Sequence, residues 1–254
     1  MSQTSQLAAG LDGKKGSWKD LLVQPVIIIV SFIGYLIWRA TADLGTTEAR
    51  PLQWDALMTS IGQHLYLTFV SAGLVVLIAV PLDIALTRGR MRRFAGPVTA
   101  VANIGQAAPT IGLLVLLAMW LGFGVTTAII TLVAYSILPV LRNTMVGLAG
   151  VDSSLIEAGR GMGMSALAVL FRVELPLAVP VILAGIRTAL VLLVGTATLA
   201  TFIDGGGLGI LIHAGINLFQ NSLLFSGAIL VGLLALLLDW LGRVVEHFAR
   251  PRGL

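Results

Sequence analysis

The 254-residue chain has no cysteine, only three histidines, and charged side chains at just 11% of its positions. Without cysteine there is no disulfide framework, no thiolate nucleophile and no Cys-ligated metal site. His64, His213 and His247 lie far apart in the chain and no HExxH occurs, which removes the usual histidine-based zinc patterns. Nucleotide signatures are missing as well. No GxxxxGK[ST] appears, "GLDGKKGS" near the start has the wrong spacing, and "GRGMGMS" is not GxGxxG; neither follows a strand. The three tyrosines and five tryptophans are dispersed or sit at the ends of apolar runs, so no aromatic cage for a cationic ligand is legible.

What is present is apolar. Hydrophobic residues make up 57% of the chain and the mean hydropathy is +0.97, values that belong to an integral membrane protein. The net charge of +4 is no nucleic-acid footprint, because the basic residues form short clusters beside apolar runs. A bilayer core takes about 20 apolar residues per helix. Six segments approach that length, at 21–38, 65–86, 98–121, 126–141, 181–203 and 223–245, the fourth being short. The expected fold is therefore an all-α membrane protein of six transmembrane helices.

Charge orients it. Lys14, Lys15 and Lys19 precede the first segment, and Arg88, Arg90, Arg92 and Arg93 follow the second in "TRGRMRR". Arg142, Arg160 and Arg172 follow the fourth, and Arg243, Arg250 and Arg252 close the chain. The other side carries Arg39 and Arg50 against Asp43, Glu48, Asp55 and Asp204. This asymmetry predicts both termini in the cytoplasm. Ala40-Thr41-Ala42 resembles a signal-peptidase site, but the preceding run is long and Arg39 abuts it, which favours a retained helix. Asp239 and Arg243 are spaced to pair along one helix, and Trp38, Trp120 and Trp240 are placed to anchor helix ends.

Within the apolar segments the polar residues form a short roster. Asn103, Gln106 and Thr110 on the third, Tyr135 and Ser136 on the fourth, and Thr188, Thr196, Thr198 and Thr201 on the fifth are candidates to line a pathway. The competing reading is that such hydroxyls bond their own backbone or a neighbouring helix. Pro109 removes an N–H and kinks the third segment, which makes it the better candidate for a gate. Asp83 and Arg187 lie near the cytoplasmic ends of their helices, where snorkelling or local pairing is expected.

The polar interruption "VDSSLIEAGRGMGMSALAVLFRVELPLAVP" predicts short helices outside the bilayer. Asp152, Ser153 or Ser154 can cap the first, and Ser154 with Glu157 has capping-box spacing. Pro176 and Pro180 are expected to end one element and start the next. Gly159, Gly161 and Gly163 each weaken a helix by about 1 kcal/mol. They mark either a flexible turn or a knob that a partner protein approaches closely.

A more specific pattern lies in the same residues. Glu157-Ala158-Gly159, three residues including Arg160, Gly161 and Met162, then Gly163, nine residues, and Val173-Glu174-Leu175-Pro176 resemble the EAA loop, EAA-x3-G-x9-I-x-LP, of ABC-importer permeases. Gly159 replaces the second alanine and Val173 the isoleucine. "ILPVLRNTMVGLAGVDSSLIEAGRGMGMS", "VELPLAVPVILAGIRTAL", "TLATFIDGGGLGILIHAGI" and "AAPTIG" look like the permeases of quaternary-amine importers, which move glycine betaine, choline, carnitine and related osmoprotectants. Asp204-Gly205-Gly206-Gly207-Leu208-Gly209 departs from that family's usual Ala-Gly-Gly-Leu-Gly; the aspartate either meets a cation or, as aspartates before helices commonly do, caps "ILIHAGI".

The resemblance implies a type I importer permease: a tail at 1–20, a first helix and outer loop at 21–64, a permease core at 65–245 whose coupling loop is 152–176, and a tail at 246–254. It implies coupling helices docked on cytoplasmic ATPase subunits that carry the ATP and Mg, with no cofactor, metal or catalytic residue on this chain. It also implies a second permease, identical or paralogous, a periplasmic or lipid-anchored binding protein, and residence in the bacterial inner membrane. A methionine importer shares the loop and is the near alternative. An ion-coupled secondary transporter would need internal repeats and a mid-membrane ionisable site, and an intramembrane enzyme would need catalytic groups; the sequence offers neither.

Overall fold

In lipid a backbone must satisfy its own hydrogen bonds, so apolar runs of this kind can only become helices. The computed structural model describes residues 18–249, and among the described residues every regular element is helical. Lys14, Lys15, Arg250 and Arg252, which contribute to the charge asymmetry, lie outside the described residues, as does the side chain of Lys19.

The long elements are α1 (Trp18–Thr41), then after a single turn α2 (Thr46–Ala49) the helix α3 (Trp54–Leu86). A 3-10 turn (Gly89–Phe94) leads to α4 (Ala95–Ala107), α5 (Thr110–Leu121) and α6 (Val125–Ala149). The polar interruption forms α7 (Ser153–Gly161) and α8 (Ala166–Val169), and a π turn (Leu170–Glu174) joins α8 to α9 (Leu175–Ala197). A second 3-10 turn (Thr198–Ile203), α10 (Gly209–Asn217) and α11 (Asn221–Ala249) complete the chain. Among the described residues five helical segments are long and apolar enough to cross a membrane, six if the bent pair on either side of Pro109 is one span.

Several boundaries differ from expectation, among them the fourth span, which runs Val125–Ala149 and not 126–141. The second span begins at Trp54, not residue 65, because Gln63 and His64 break the apolar window without breaking the helix. The third is not one rod. Pro109 N-caps α5 with φ −56° and ψ 120°, and the two halves meet at 99°. Pro180 starts nothing: it lies inside α9, while Pro176 occupies the first turn, so α8 runs through the π turn into a continuous helical segment, Ala166–Ile203. A π turn closes i→i+5 bonds, here from the Leu175 N–H to the Leu170 carbonyl, just before a proline that has no N–H to donate.

Helices α3, α6, α9 and α11 form the bundle, and glycine sets how closely two of them approach. A Cβ built on Gly185 of α9 lies 2.6 Å from Asn143 Cβ and 2.9 Å from the Pro139 carbonyl oxygen of α6. One on Gly147 lies 3.2 Å from both the Ala178 carbonyl oxygen and Val181 Cβ. Such small-residue contacts replace the hydrophobic drive that lipid cannot supply between helices. Helix α1 is peripheral and packs on α11. Gln24 Nε2 donates to the Leu236 carbonyl at 2.9 Å and to Asp239 at 3.1 Å, and the Trp240 indole donates to the Leu21 carbonyl at 2.8 Å. Trp240 thus spends its N–H inside the bundle. At the other end of α1, Arg39 donates to the Leu52 carbonyl (2.9 and 2.6 Å) and lies 4.3 Å over the Trp54 ring.

Candidate functional site

The loop at 152–176 is built by local rules. Asp152 caps α7, its carboxylate accepting from the Ser154 N–H at 2.8 Å. That bond holds the Asp152 carboxyl below the usual carboxylate range. The cap is thus Asp152, not the Ser154 and Glu157 box, since the carboxylate already satisfies the first-turn donor. Helix α7 ends in a Schellman motif: the Gly163 N–H donates to the Arg160 carbonyl at 2.9 Å and the Met164 N–H to the Gly159 carbonyl at 3.1 Å. This requires the left-handed conformation at Gly163, whose φ is +81°.

The three glycines are not equivalent. Gly159 is buried, and a Cβ there would lie 3.4 Å from Val169 Cγ2, 3.6 Å from Met164 Sδ and 3.8 Å from Val173 Cγ2, ordinary contacts that an alanine can make. Gly161 faces open space at an ordinary φ. Around this turn Glu157, Ala158 and Arg160 are exposed, Met162, Leu167 and Phe171 project their apolar side chains, Val173 and Leu175 are half-buried, and Pro176 is exposed. The result is a knob carrying opposite charges and three uncovered hydrophobic side chains on a rigid turn.

The knob is tied to the rest of the molecule by a residue pair that sequence reading missed. Arg88, just past α3, grips Glu174 with both terminal nitrogens, Nη1 to Oε1 at 3.0 Å and Nη2 to Oε2 at 2.5 Å. Glu174 is 4% exposed and occupies the variable position of the loop pattern. An acidic residue beside an apolar run is the available signal, with nothing to name its partner. Arg187 behaves as expected, within 3.8 Å of Asp239 and 3.7 Å of Glu246, and Arg243 pairs with Asp239 at 2.6 Å. Asp83 does not: it is fully buried and neither carboxylate oxygen has a partner, so it neither snorkels nor pairs.

The pathway candidates scatter. Asn103 accepts from Arg142 Nη2 at 2.6 Å, joining α4 to α6. Ser136 is buried and donates to the Leu132 carbonyl, Thr188 donates to Ala184, Thr196 to Leu192 and Thr198 to Gly195, all to their own backbone. Gln106, Thr110, Tyr135 and Thr201 are half-buried, and Pro109 is exposed at the bend. Gly105 lies so close to α6 that a Cβ would sit 3.2 Å from the Ala134 carbonyl oxygen.

At the other end of the bundle the glycine-rich loop is clamped onto α3. Gln63 Oε1 accepts from the Gly207 N–H at 3.0 Å. His64 Nδ1 accepts from the Leu208 N–H at 3.3 Å, which leaves Nε2 to donate to the Val194 carbonyl at 2.9 Å. The loop needs its glycines: Gly206 and Gly207 have φ of +78° and +92°, a Cβ on Gly205 would lie 2.8 Å from Ala200 Cβ, and Gly209 packs directly on the Thr198 carbonyl. Asp204 does not cap α10, which begins at Gly209 without a side-chain cap. It is instead the left-handed residue (φ 59°, ψ 25°) ending the 3-10 turn before the loop. Its exposed carboxylate, with Gln63, Tyr66 and Gly206, lines an open cavity of about 330 Å³. Gln63 and His64 were invisible as partners in the sequence, where two polar residues inside an apolar stretch were the sole hint.

Residues 79–251 match the family model of the binding-protein-dependent transport system inner membrane component. The chain is 44% identical over 198 residues to the glycine betaine/carnitine/choline transport system permease protein OpuCB of Bacillus subtilis, covering 78% of this chain and 90% of that one. It is 40% identical over 222 residues to the osmoprotectant import permease protein OsmY of Salmonella typhimurium, covering 85% and 92%. The solved MetNI methionine ABC transporter, in its inward-facing conformations, is similar with a TM-score of 0.68 at 26% identity, covering 77% of this chain and 96% of that one. The uncovered knob, the bent third span and the clamped glycine-rich loop therefore sit in a multi-pass chain that belongs to the family of binding-protein-dependent transport system inner membrane components, the permease subunits of ABC importers.

Proposed function

We propose that the chain is the permease of an ATP-driven, binding-protein-dependent importer of a quaternary amine such as glycine betaine, choline or carnitine. The observation that carries this is the α7–α8 knob: a rigid Schellman turn with Glu157, Arg160, Met162, Leu167 and Phe171 uncovered, spaced as the EAA loop. A lone membrane protein has no reason to fix an apolar and charged knob outside its spans. A groove on a separate ATPase subunit, where ATP and Mg bind, accounts for it. Relatives at 44% and 40% identity named for quaternary amines and osmoprotectants favour that cargo over methionine.

In this reading both termini and the knob face the cytoplasm, and the 204–209 loop faces a binding protein on the outer side of the inner membrane. Two copies of the permease, or this chain and a paralogue, enclose the pathway. Closure of the paired ATPases moves the knobs inward and opens the pathway outward; hydrolysis resets it. Asn103, Gln106, Pro109 and Thr110 surround the 99° break, where irregular backbone in a membrane is tolerated next to protein or a cavity, and this break is the gate.

The test is affinity purification from native membranes with mass spectrometry of what co-purifies, paired with uptake assays on Glu157→Lys. A Walker-motif ATPase recovered with the wild type, and uptake abolished in the variant at equal membrane level, are the expected results. Recovery of the chain alone under several detergents, or normal uptake by Glu157→Lys, refutes the assignment. Uptake that survives ATP depletion but collapses with an ion gradient assigns the chain to secondary transport instead.

A further inference from the structure

We propose that Arg88 is a two-position latch, held by Glu174 in the conformation described and by Asp83 in the opposite conformation of the transport cycle. This rests on the reading of the chain as an ATP-driven permease and adds to it the residues that carry motion from the knob into the bundle.

The first observation is where the pair sits. Glu174 ends the π turn between the knob and α9, and Arg88 lies in extended backbone (φ −114°, ψ 139°) between α3 and the next 3-10 turn. The two-pronged Arg88 and Glu174 contact therefore joins the foot of the coupling knob to the end of α3 and the start of the bent span. A π turn is rare and marks a place where a helix can change register. Relaxing it by one residue rotates Glu174 by about 100° relative to α9, out of reach of a fork that demands planar alignment. Force on the knob acts directly on that turn.

The second observation is an unpaired carboxyl group close to Arg88 in the chain. Asp83 is on the last turn of α3, five residues upstream, with 0% exposure and no partner for either oxygen. Arg88 Nε is itself buried and unpaired. The neighbouring cations Arg90, Arg92 and Arg93 are exposed on their turn, and Arg172 is exposed on the π turn. One half-buried guanidinium thus grips one buried carboxylate, while a second, orphaned one lies five residues away along the same chain segment. An orphaned buried carboxylate is unfavourable wherever it is. If Arg88 moves from Glu174 to Asp83, one orphan replaces another, so the two arrangements are close in free energy. That near-balance is what a two-state element needs if a modest input from the ATPase is to switch it. A static strut would have no use for Asp83, since an apolar residue serves a buried site better than an unpaired carboxyl group.

The test uses the intact importer, purified with its ATPase and reconstituted in proteoliposomes with binding protein, measuring solute uptake and ATP hydrolysis together. Asp83→Asn leaves the Glu174 contact untouched and removes the second position. The charge exchange Arg88→Glu with Glu174→Arg preserves the first contact but presents Asp83 with a like charge. The latch predicts that both variants assemble and hydrolyse ATP while uptake per ATP falls at least tenfold. A strut predicts that Asp83→Asn is normal and that the exchange restores a defect seen in Glu174→Gln. Wild-type uptake per ATP in Asp83→Asn or in the exchanged protein overturns the latch, and if the exchange fails to assemble, Asp83→Asn decides alone. Absence of ATP-driven uptake in the wild type would instead refute the permease reading, so the two failures are distinct.

Discussion

Three glycines within five residues of the knob do not share one fate on replacement by alanine. Gly163 has a φ of +81° with nothing within 4 Å of a built Cβ, so the methyl fits but the backbone does not. Holding a non-glycine residue in the left-handed region is unfavourable by roughly 1–2 kcal/mol. That is a factor of about 5–30 in the population of the folded turn. A partner that binds the ordered knob alone loses apparent affinity in proportion to the fraction ordered. Gly163→Ala is therefore expected to weaken ATPase binding by up to about 5- to 30-fold. Gly159 is helical, and its Cβ would meet Val169, Met164 and Val173 at 3.4 to 3.8 Å. Alanine there gains roughly 0.5–1 kcal/mol of helix stability without a clash. Gly161, with ordinary φ and open space, is expected to gain similarly or stay neutral. The assay is titration of the purified ATPase onto each permease variant in nanodiscs, with far-ultraviolet circular dichroism to confirm folding. Gly163→Ala binding within twofold of wild type, or Gly159→Ala binding more weakly than Gly163→Ala, would refute the assignment of the turn.

Other expectations follow from single contacts. His64→Ala strands the Leu208 N–H and Val194 carbonyl inside the bundle. Each stranded group is unfavourable by about 1–3 kcal/mol, which thermal unfolding in micelles should register as a lowered midpoint. Asp204→Asn removes the exposed carboxylate of the cavity beside the glycine-rich loop. If a cation passes there, KM rises for choline more than for zwitterionic betaine, the difference shrinks in high salt, and stability is unchanged. The Asp152 carboxyl titrates below its unfolded value because the Ser154 N–H favours the charged form. The cap is thus fully present above about pH 4 and fades as pH falls through the lowered value. Asp152→Asn should remove that dependence from helix content followed by circular dichroism down to about pH 3.

Much of the spanning pattern was readable because lipid leaves few alternatives: apolar runs of bilayer length must be helices, and a proline amid one of them must disturb it. The sequence did not carry the size of the disturbance at Pro109, since the 99° bend depends on Gly105 and Asn103 seating α4 against α6. Hydropathy also misjudged where α3 starts. Gln63 and His64 look like a break in a window average, yet each is satisfied by the loop 144 residues away. The loop pattern placed Gly159 and Gly163 in the knob, while the distinction between a tolerated and a demanded glycine lies in φ and in what a Cβ would meet. Glu174 and Arg88 are 86 residues apart and could not be joined from periodicity. Asp204 was misread because a residue before a helix caps it only if the helix starts at the next residue, and here four others intervene.

The attachment of α1 to the bundle carries a consequence for biogenesis. Its hydrogen-bonding partner is the last helix, with Gln24 and Asp239 separated by 215 residues. At about 5–20 residues per second the ribosome needs about 10–40 s to supply that partner. Throughout that interval the Gln24 amide of α1 lacks its two acceptors on α11. A translocon or an insertion chaperone must shelter it until synthesis ends. A chain stopped anywhere before α11 would lack both acceptors for good, so an unpaired Gln24 Nε2 distinguishes an unfinished chain from one that has made α11.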